Sequence, residues 1–417
     1  MIVKVCFVAL NAYPAIEPRV DGSFGGIETR AWTFSKALAE MPGFDVEFLV
    51  RHTDDLKDYR YGKVKMHSLV DPYYEIRTSL ISRLQRSNAF PWMRLRQPRL
   101  SDAYYLPLLA TLKVFKKRTD PRQPEPNLNN VEADVLLTFG VQSHSASVIA
   151  SAQEKGIPSI LFLGSDSDLD ENYLPGSDYV SAYRDSADVC YWVIQNADKI
   201  LCQTQFQQDR LKKVFDRDSE LIKNPIDVET WDQRTGSKPG QDLYPEVERY
   251  ALWVGRTDPV HKRPQDLIET AKLCPEIPFL VIMNKRDDVL EADLKNNAPE
   301  NVKFIEKIPF ESMPMVFSKA FAFVNTSALE GFPNTFLQAA VSRVPIVSLN
   351  VEEQFLAAAN AGFYAAGSID KAAEQLCALW KKTAPEFNGR DYVLQHHDLK
   401  QQVDHLALTL KRLVEST

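Results

Sequence analysis

The chain has 417 residues, 44% of them hydrophobic and 25% charged, and a formal net charge of −7. That length points to two or more domains with ample core material, and the acidic balance excludes a general nucleic-acid binder. Five scattered cysteines, Cys6, Cys190, Cys202, Cys274 and Cys377, contain no Cys-x-x-Cys pair. This argues against a disulfide framework and a cysteine zinc site, and for a reducing compartment.

The first segment, MIVKVCFVALNAYP, is apolar but short and has no small-residue cleavage site, so it reads as a first buried strand. No run of about 18 apolar residues follows, and the chain is expected to be soluble or at most attached to a membrane face. After VKVCFVAL come the helix IETRAWTFSKALAE and the strand VEFLV. ADVLLTFG, a helix over Ser145 to Lys155 and PSILFLG repeat the unit, and a helix near Val189 to Asn196 leads into KILC. Strands alternating with amphipathic helices predict parallel sheets covered by helices.

Between Tyr73 and Arg118 the chain carries ten basic residues against two acids, Glu75 and Asp102, so this segment is +8 and the remainder −15. Tyr73, Tyr74, Phe90, Trp92, Tyr104, Tyr105 and Phe115 interleave with Arg77, Arg83, Arg86, Arg94, Arg96 and Arg99. Such a surface suits the anionic face of a bilayer or a lipid-linked anionic acceptor, and equally a core-packing insert with a solvated face. The Pro-rich, charged stretch Lys116 to Asn130 reads as a surface loop.

The second half gives YALWVGR, the helix PQDLIETAKLC, FLVIMN, VKFIEK, the helix SMPMVFSKA, FAFVNTS, the helix TFLQAAVSR and PIVSLN. Pro, Gly and polar residues from Lys223 to Gly240 mark a hinge between the halves. Tyr392 to Val414 reads as one long helix.

In ALEGFPNTFLQAA, Glu330 follows the buried strand FAFVNTS, at the sheet edge where open α/β sheets bind ligands. Gly331 admits close backbone approach, and Pro333-Asn334 opens a helix whose free N–H groups favour an anion. Glu330 and Gln338 would touch two parts of one elongated, anionic, hydroxyl-rich ligand, although an acid here also serves as a plain helix cap. In VGRTDPVHKRPQDLIE, Arg256 ends a strand while Lys262 and Arg263 precede Pro264, a good first helical residue. Cations there oppose the helix dipole unless a multiply charged anion such as a diphosphate sits among them. In DGSFGGIETRAWTFSKALAE, Gly25 and Gly26 open a helix after the first strand, without the Gly-x-Gly-x-x-Gly of a dinucleotide site.

Taken in order, GGIETRAWTFSKALAE, VGRTDPVHKRP and SALEGFPNTFLQAAVSRVPIV resemble the retaining glycosyltransferases of family 4. NADKILCQTQFQQDRLKKVF, LIKNPID and YVLQHHDLKQQVDHLALTLKRLV extend the resemblance over nearly the whole chain. It implies an α/β GT-B fold, two Rossmann-like domains facing across a cleft, with residues 1–227 on the acceptor side, 228–390 on the donor side and a helix over 391–417 returning to the N-terminal domain. By the same resemblance Arg256 and Lys262 hold a donor diphosphate and Glu330 binds sugar hydroxyls. Backbone N–H groups around Gly331, Phe332, Asn334 and Thr335 complete the anion site, with Pro333 among the donor-binding positions, and Gly25 and Gly26 approach the reacting end.

The implied activity transfers a hexose-type sugar from a nucleotide diphosphate sugar to a glycan or lipid-linked acceptor, in the cytoplasm or at the inner membrane face. No metal or other cofactor and no nucleic acid is expected. Two positions depart from the family pattern: Gln338 replaces a second Glu that binds the nucleotide ribose, and Leu163 stands where many relatives carry a histidine. A nucleotide-sugar epimerase of the same fold and a non-catalytic sugar-binding relative therefore stay open. Asp166-Ser-Asp168 matches a short metal-binding pattern but reads better as a solvated acidic loop, with Asp166 a candidate on the acceptor side.

Overall fold

The structure is a computed structural model that describes residues 2–17, 20, 25–86, 93–95, 98–115, 120–181, 183–235, 243–284, 288–306, 308–328, 330–351 and 354–416. The chain forms two units, Met1–Lys223 with Val403–Thr417, and Asn224–Gln402. Their limits fall at 223/224 and 402/403, where the sequence reading placed 227/228 and 390/391.

The strands of the first unit are β1 (Val3–Val8), β2 (Phe44–His52), β3 (Arg60–Tyr61), β4 (Val64–Val70), β5 (Leu84–Arg86), β6 (Met93–Leu95), β7 (Val135–Phe139), β8 (Ser159–Phe162), β9 (Lys199–Cys202) and β10 (Glu220–Leu221). Eight of them form one sheet in the order β10-β9-β8-β7-β1-β2-β4-β3, parallel except for β3 against β4. A row of rings crosses four neighbouring strands: Phe48, Phe7, Phe139 and Phe162 lie with successive centroids 6.2, 6.4 and 5.1 Å apart. The helix Gly26–Glu40 lays Arg30 over Phe139 and Phe162, and the Arg30 guanidinium donates to the carbonyl of Leu163 at 2.6 Å.

β5 and β6 form a separate hairpin inside the basic segment, between the helices Tyr74–Arg83 and Asp102–Phe115. Arg83 grips the buried Asp102 with two bonds of 2.6 and 2.7 Å, tying those helices together. Phe90, Trp92 and Arg96 of this segment lie outside the described residues, as do 116–119 of the adjoining loop and 236–240 of the hinge. The helix Asp102–Phe115 leaves Tyr104 and Leu106 exposed.

The second unit holds β11 (Tyr250–Arg256), β12 (Phe279–Asn284), β13 (Val302–Ile305), β14 (Ala320–Asn325), β15 (Ile346–Ser348) and β16 (Gly362–Tyr364), all parallel in the order β13-β12-β11-β14-β15-β16. Both faces are buried, and alternate side chains enter two apolar layers. Tyr250, Leu252, Leu280 and Ile282 join one layer, Ala251, Trp253, Phe279 and Val281 the other. This explains why these strands read as unbroken apolar runs. At Gly362, φ is 154° and an added Cβ would lie 1.9 Å from the Ile346 carbonyl oxygen, so only glycine lets β16 dock.

The helix expected over Tyr392 to Val414 is broken into Gly389–His396 and Leu399–Glu415. His397 turns inward, where its Nδ1 lies 2.8 Å from the carbonyl oxygen of Asn224, and Asp398 pairs with Ile226 in a single parallel bridge. A buried backbone contact thus interrupts a sequence whose apolar period alone would continue. Beyond the break, Glu220 accepts hydrogen bonds from Thr409 and His405, both at 2.7 Å, and pairs with Lys199 at 2.9 Å. Among the described residues no helix is long and apolar enough to cross a membrane.

Candidate active site

β11 and β14 are neighbours in the second sheet, so the loops at their carboxyl ends, Thr257–Arg263 and Thr326–Pro333, lie side by side. Side-chain and backbone hydrogen bonds together build the contact. Trp253 Nε1 donates to Thr326 Oγ1 at 3.0 Å, that hydroxyl donates to the Lys262 carbonyl at 2.8 Å, and the Ala328 amide donates to the His261 carbonyl at 2.8 Å. These three bonds bring Lys262 and Glu330 into a direct ion pair, with side chains 26% and 15% exposed.

Asp258, which the sequence reading passed over, organises the first loop. Buried at 5% exposure, it accepts the amides of Val260 and His261 at 3.1 and 2.9 Å and pairs with Arg256 at 3.3 Å. Burial works against its charge, but the His261 and Val260 amides with the His261 and Arg256 charges outweigh it and hold the pKa below the usual range. Arg263 takes a left-handed conformation, φ 47°, ahead of the helix Pro264–Leu273, and pairs with Asp266 at 2.9 Å. In this ligand-free state the three cations expected around an anion, Arg256, Lys262 and Arg263, each face a carboxylate. Lys262 differs in that its carboxylate is itself a candidate ligand.

The helix Asn334–Val341 begins after Pro333, with no side-chain cap. The Asn334 Oδ1 accepts from the buried Asn224 at 2.9 Å, and Phe332 stacks on His397 with centroids 5.2 Å apart, which fixes the approach to the helix. Gly331 and Thr335 flank these two. On that helix Gln338 is 8% exposed, and its buried Oε1 has no hydrogen-bond partner. A buried amide oxygen without a donor is uncommon and marks where a ligand group would be met. Glu330, Lys262, Arg256 and the segment Gly331–Gln338 thus gather at one edge of one sheet.

Gly25, Gly26 and Asp166 belong to the other unit. Gly25 has extended backbone, φ −130°, and its amide donates to Glu28 Oε2 at 2.8 Å, so the turn does not require glycine and that amide is engaged. Asp168 corrects the solvated-loop reading: at 2% exposure it accepts the amides of Gly164, Ser165 and Val141 at 2.5, 3.2 and 3.2 Å. It braces the turn between β8 and its loop. Asp166 accepts from Gln207 Nε2 at 2.9 Å, and burial raises its pKa to about 6 despite that bond, with Asp168 adding to the rise. The Leu163 side chain is fully buried in an apolar layer with Val141 and Leu161, so the departure there is a core position.

Residues 24–230 match the family described as "Glycosyltransferase Family 4" and residues 248–382 the one described as "Glycosyl transferases group 1". The chain is similar to the O-antigen chain mannosyltransferase RfbU of Salmonella typhimurium, 26% identical over 165 residues, a stretch covering 37% of this chain and 42% of that relative. Among solved structures it resembles sucrose-phosphate synthase of Thermosynechococcus elongatus at a TM-score of 0.69 and 16% identity, over 100% of both chains. It also resembles Anabaena Alr3699/HepE, solved with UDP and glucose, at a TM-score of 0.61 and 13% identity over 98% of this chain and 100% of that one. The fold is GT-B, with two Rossmann-like units. One family match on each unit, joined to the segments gathered at the edge of the second sheet, leads to one conclusion: the chain belongs to the family 4, group 1 glycosyltransferases.

Proposed function

We propose that the protein is a retaining, metal-independent transferase that moves a hexose-type sugar from a nucleotide diphosphate sugar to a glycan or lipid-linked acceptor in surface polysaccharide synthesis. The observation that carries this reading is the Lys262–Glu330 pair at the carboxyl edge of a parallel sheet, beside the uncapped start of the helix Asn334–Val341. When a donor enters, the ammonium leaves the carboxylate for the diphosphate, Arg256 adds a second cation, and Glu330 accepts from sugar hydroxyls. N–H groups at Gly331, Phe332, Asn334 and Thr335 and the helix dipole stabilise the charge that grows as the anomeric C–O bond breaks. The acceptor oxygen bonds to the anomeric carbon on the departing face, and its proton passes to the leaving phosphate.

Gln338 offers its unpartnered amide to the nucleotide ribose. The UDP and glucose named for the HepE structure and the mannosyl transfer named for RfbU support a nucleotide-sugar donor and a polysaccharide role. Tyr104 and Leu106, exposed on an apolar helix of a basic segment, favour docking on an anionic membrane face.

The test is incubation of chelator-treated protein with UDP-, GDP-, ADP- and TDP-hexoses and lipid-linked or glycan acceptors, with NMR of the product. Transfer with the donor's anomeric configuration kept is expected. Inversion, a metal requirement, or conversion of the donor without acceptor would contradict the reading.

A further inference from the structure

Asn224 is the first residue of the second unit and is 3% exposed. Its backbone is fastened to the segment after the helix Gly389–His396. The Asn224 carbonyl oxygen lies 2.8 Å from His397 Nδ1, the Ile226 amide donates to the His397 carbonyl at 2.9 Å, and the Leu399 amide donates to the Ile226 carbonyl at 3.1 Å. His397, itself buried, also lays its ring on Phe332, with centroids 5.2 Å apart. The backbone of Asn224 is thereby locked beside the loop that leads into the helix Asn334–Val341.

From that seat the Asn224 side chain sets a sequence of donors and acceptors. Its Nδ2 lies 3.5 Å from the Phe332 carbonyl oxygen and donates to Asn334 Oδ1 at 2.9 Å. A main-chain carbonyl only accepts, so the nitrogen of Asn224, not its oxygen, belongs on this side. Asn334 must then present its oxygen to that nitrogen. Its own NH2 is left over, for it makes no hydrogen bond among the described residues and Asn334 is half-buried. The engaged oxygen is also kept off the free amides of its own first turn, where asparagine side chains readily bond, and the helix start stays uncapped. Four residues on, along the same face of the helix, the buried Gln338 Oε1 has no partner. A spare amide donor and an unanswered amide oxygen on one helix face suit a ligand that carries both an anion and hydroxyls.

We propose that the Asn334 side-chain NH2 is a further ligand of the donor's diphosphate, and that Asn224, seated by His397, is the residue that positions it. This rests on the reading that the donor binds at the carboxyl edge of the second sheet. Asn334 meets a phosphate oxygen directly, whereas Asn224 acts through Asn334. The bond is charge-assisted and directional, and the fixed oxygen ensures that a donor, never an acceptor, faces the anion.

The test is isothermal titration calorimetry of the full chain with UDP, GDP, ADP and TDP, each with chelator, beside urea unfolding of the same proteins. Asn334→Leu keeps the backbone amides and removes the side-chain donor. It is expected to weaken the diphosphate that the wild type binds best by about 10–100-fold. Asn224→Leu is expected to weaken it by about 3–10-fold, and to weaken it no further in the Asn334→Leu background. Unchanged affinity in Asn334→Leu, whatever happens to the unfolding midpoint, overturns the proposal, and that arm decides alone if Asn224→Leu does not fold. Full additivity of the two substitutions would remove Asn224 from the positioning role. A merely structural pair would lower both midpoints and leave the affinity where it was. A wild type that binds none of the four contradicts the donor site itself, whereas binding that neither substitution touches leaves that site standing without this pair.

Discussion

Lys262 and Glu330 stand 68 residues apart and meet in one ion pair. Because the pair is only partly shielded, its loss should cost the fold little, about 1–2 kcal/mol, while removing a group aimed at the leaving diphosphate should lower kcat by about 10²–10³-fold. Lys262→Met and Glu330→Gln, compared by steady-state kinetics and urea unfolding, check both expectations. Gln338→Met should leave the unfolding midpoint unchanged or raised, since it deletes a buried acceptor that has no donor, and should raise the donor KM about 3–10-fold with kcat kept. Asp166 binds a proton more tightly folded, at about 6, than unfolded, near 3.9. Stability from this group is therefore fully present below pH 4 and lost as pH rises through 6. Asp166→Asn should gain ~1–3 kcal/mol at pH 8 and nothing at pH 4, read from urea midpoints. Glu330 was legible in the sequence because an acid after a β-branched apolar run, followed by Gly-Phe-Pro-Asn, has a definite place in an open sheet. Asp258 was not, because a carboxylate that binds the amides of its own loop follows no period.

Among the elements, those with two buried faces were the most readable. β11, β12 and β14 each match an apolar run, and every ladder of the second sheet is parallel. β4 was missed because its burial alternates with Lys65 and His67, which reach Glu47 on β2 at 2.8 and 2.7 Å. A strand whose polar face is satisfied across the sheet looks, in one dimension, like a loop. The broken C-terminal helix shows the converse, since its period continues while the Asn224 carbonyl captures His397. Glu220 fastens the part of that helix lying on the first unit. Burial opposes its charge, but the bonds from Thr409, Lys199 and His405 outweigh it and hold its pKa below the ordinary carboxylate value. That stability is present above the unfolded pKa and disappears as pH falls through the folded one. Glu220→Gln should cost about 1–2 kcal/mol at pH 7 and progressively less toward acid, as seen in urea midpoints across pH. The helix Asp102–Phe115 should carry the protein to anionic liposomes at low salt, and flotation unchanged by Tyr104→Ser with Leu106→Ser would remove it from that role.

For the whole molecule, each unit covers its own sheet, and of the residues proposed to bind a donor all but Gly25 and Gly26 lie on Asn224–Gln402. The most direct measurement is a thermal-shift screen of chelator-treated wild type and Glu330→Gln against UDP-, GDP-, ADP- and TDP-sugars and the bare nucleotides. A ligand that binds only the native state raises the midpoint with its concentration. The account predicts a rise with one nucleotide family without metal, larger for the sugar than for the bare diphosphate, with the sugar's increment lost in Glu330→Gln. An equal rise in wild type and variant, or a rise only when metal is restored, would contradict it.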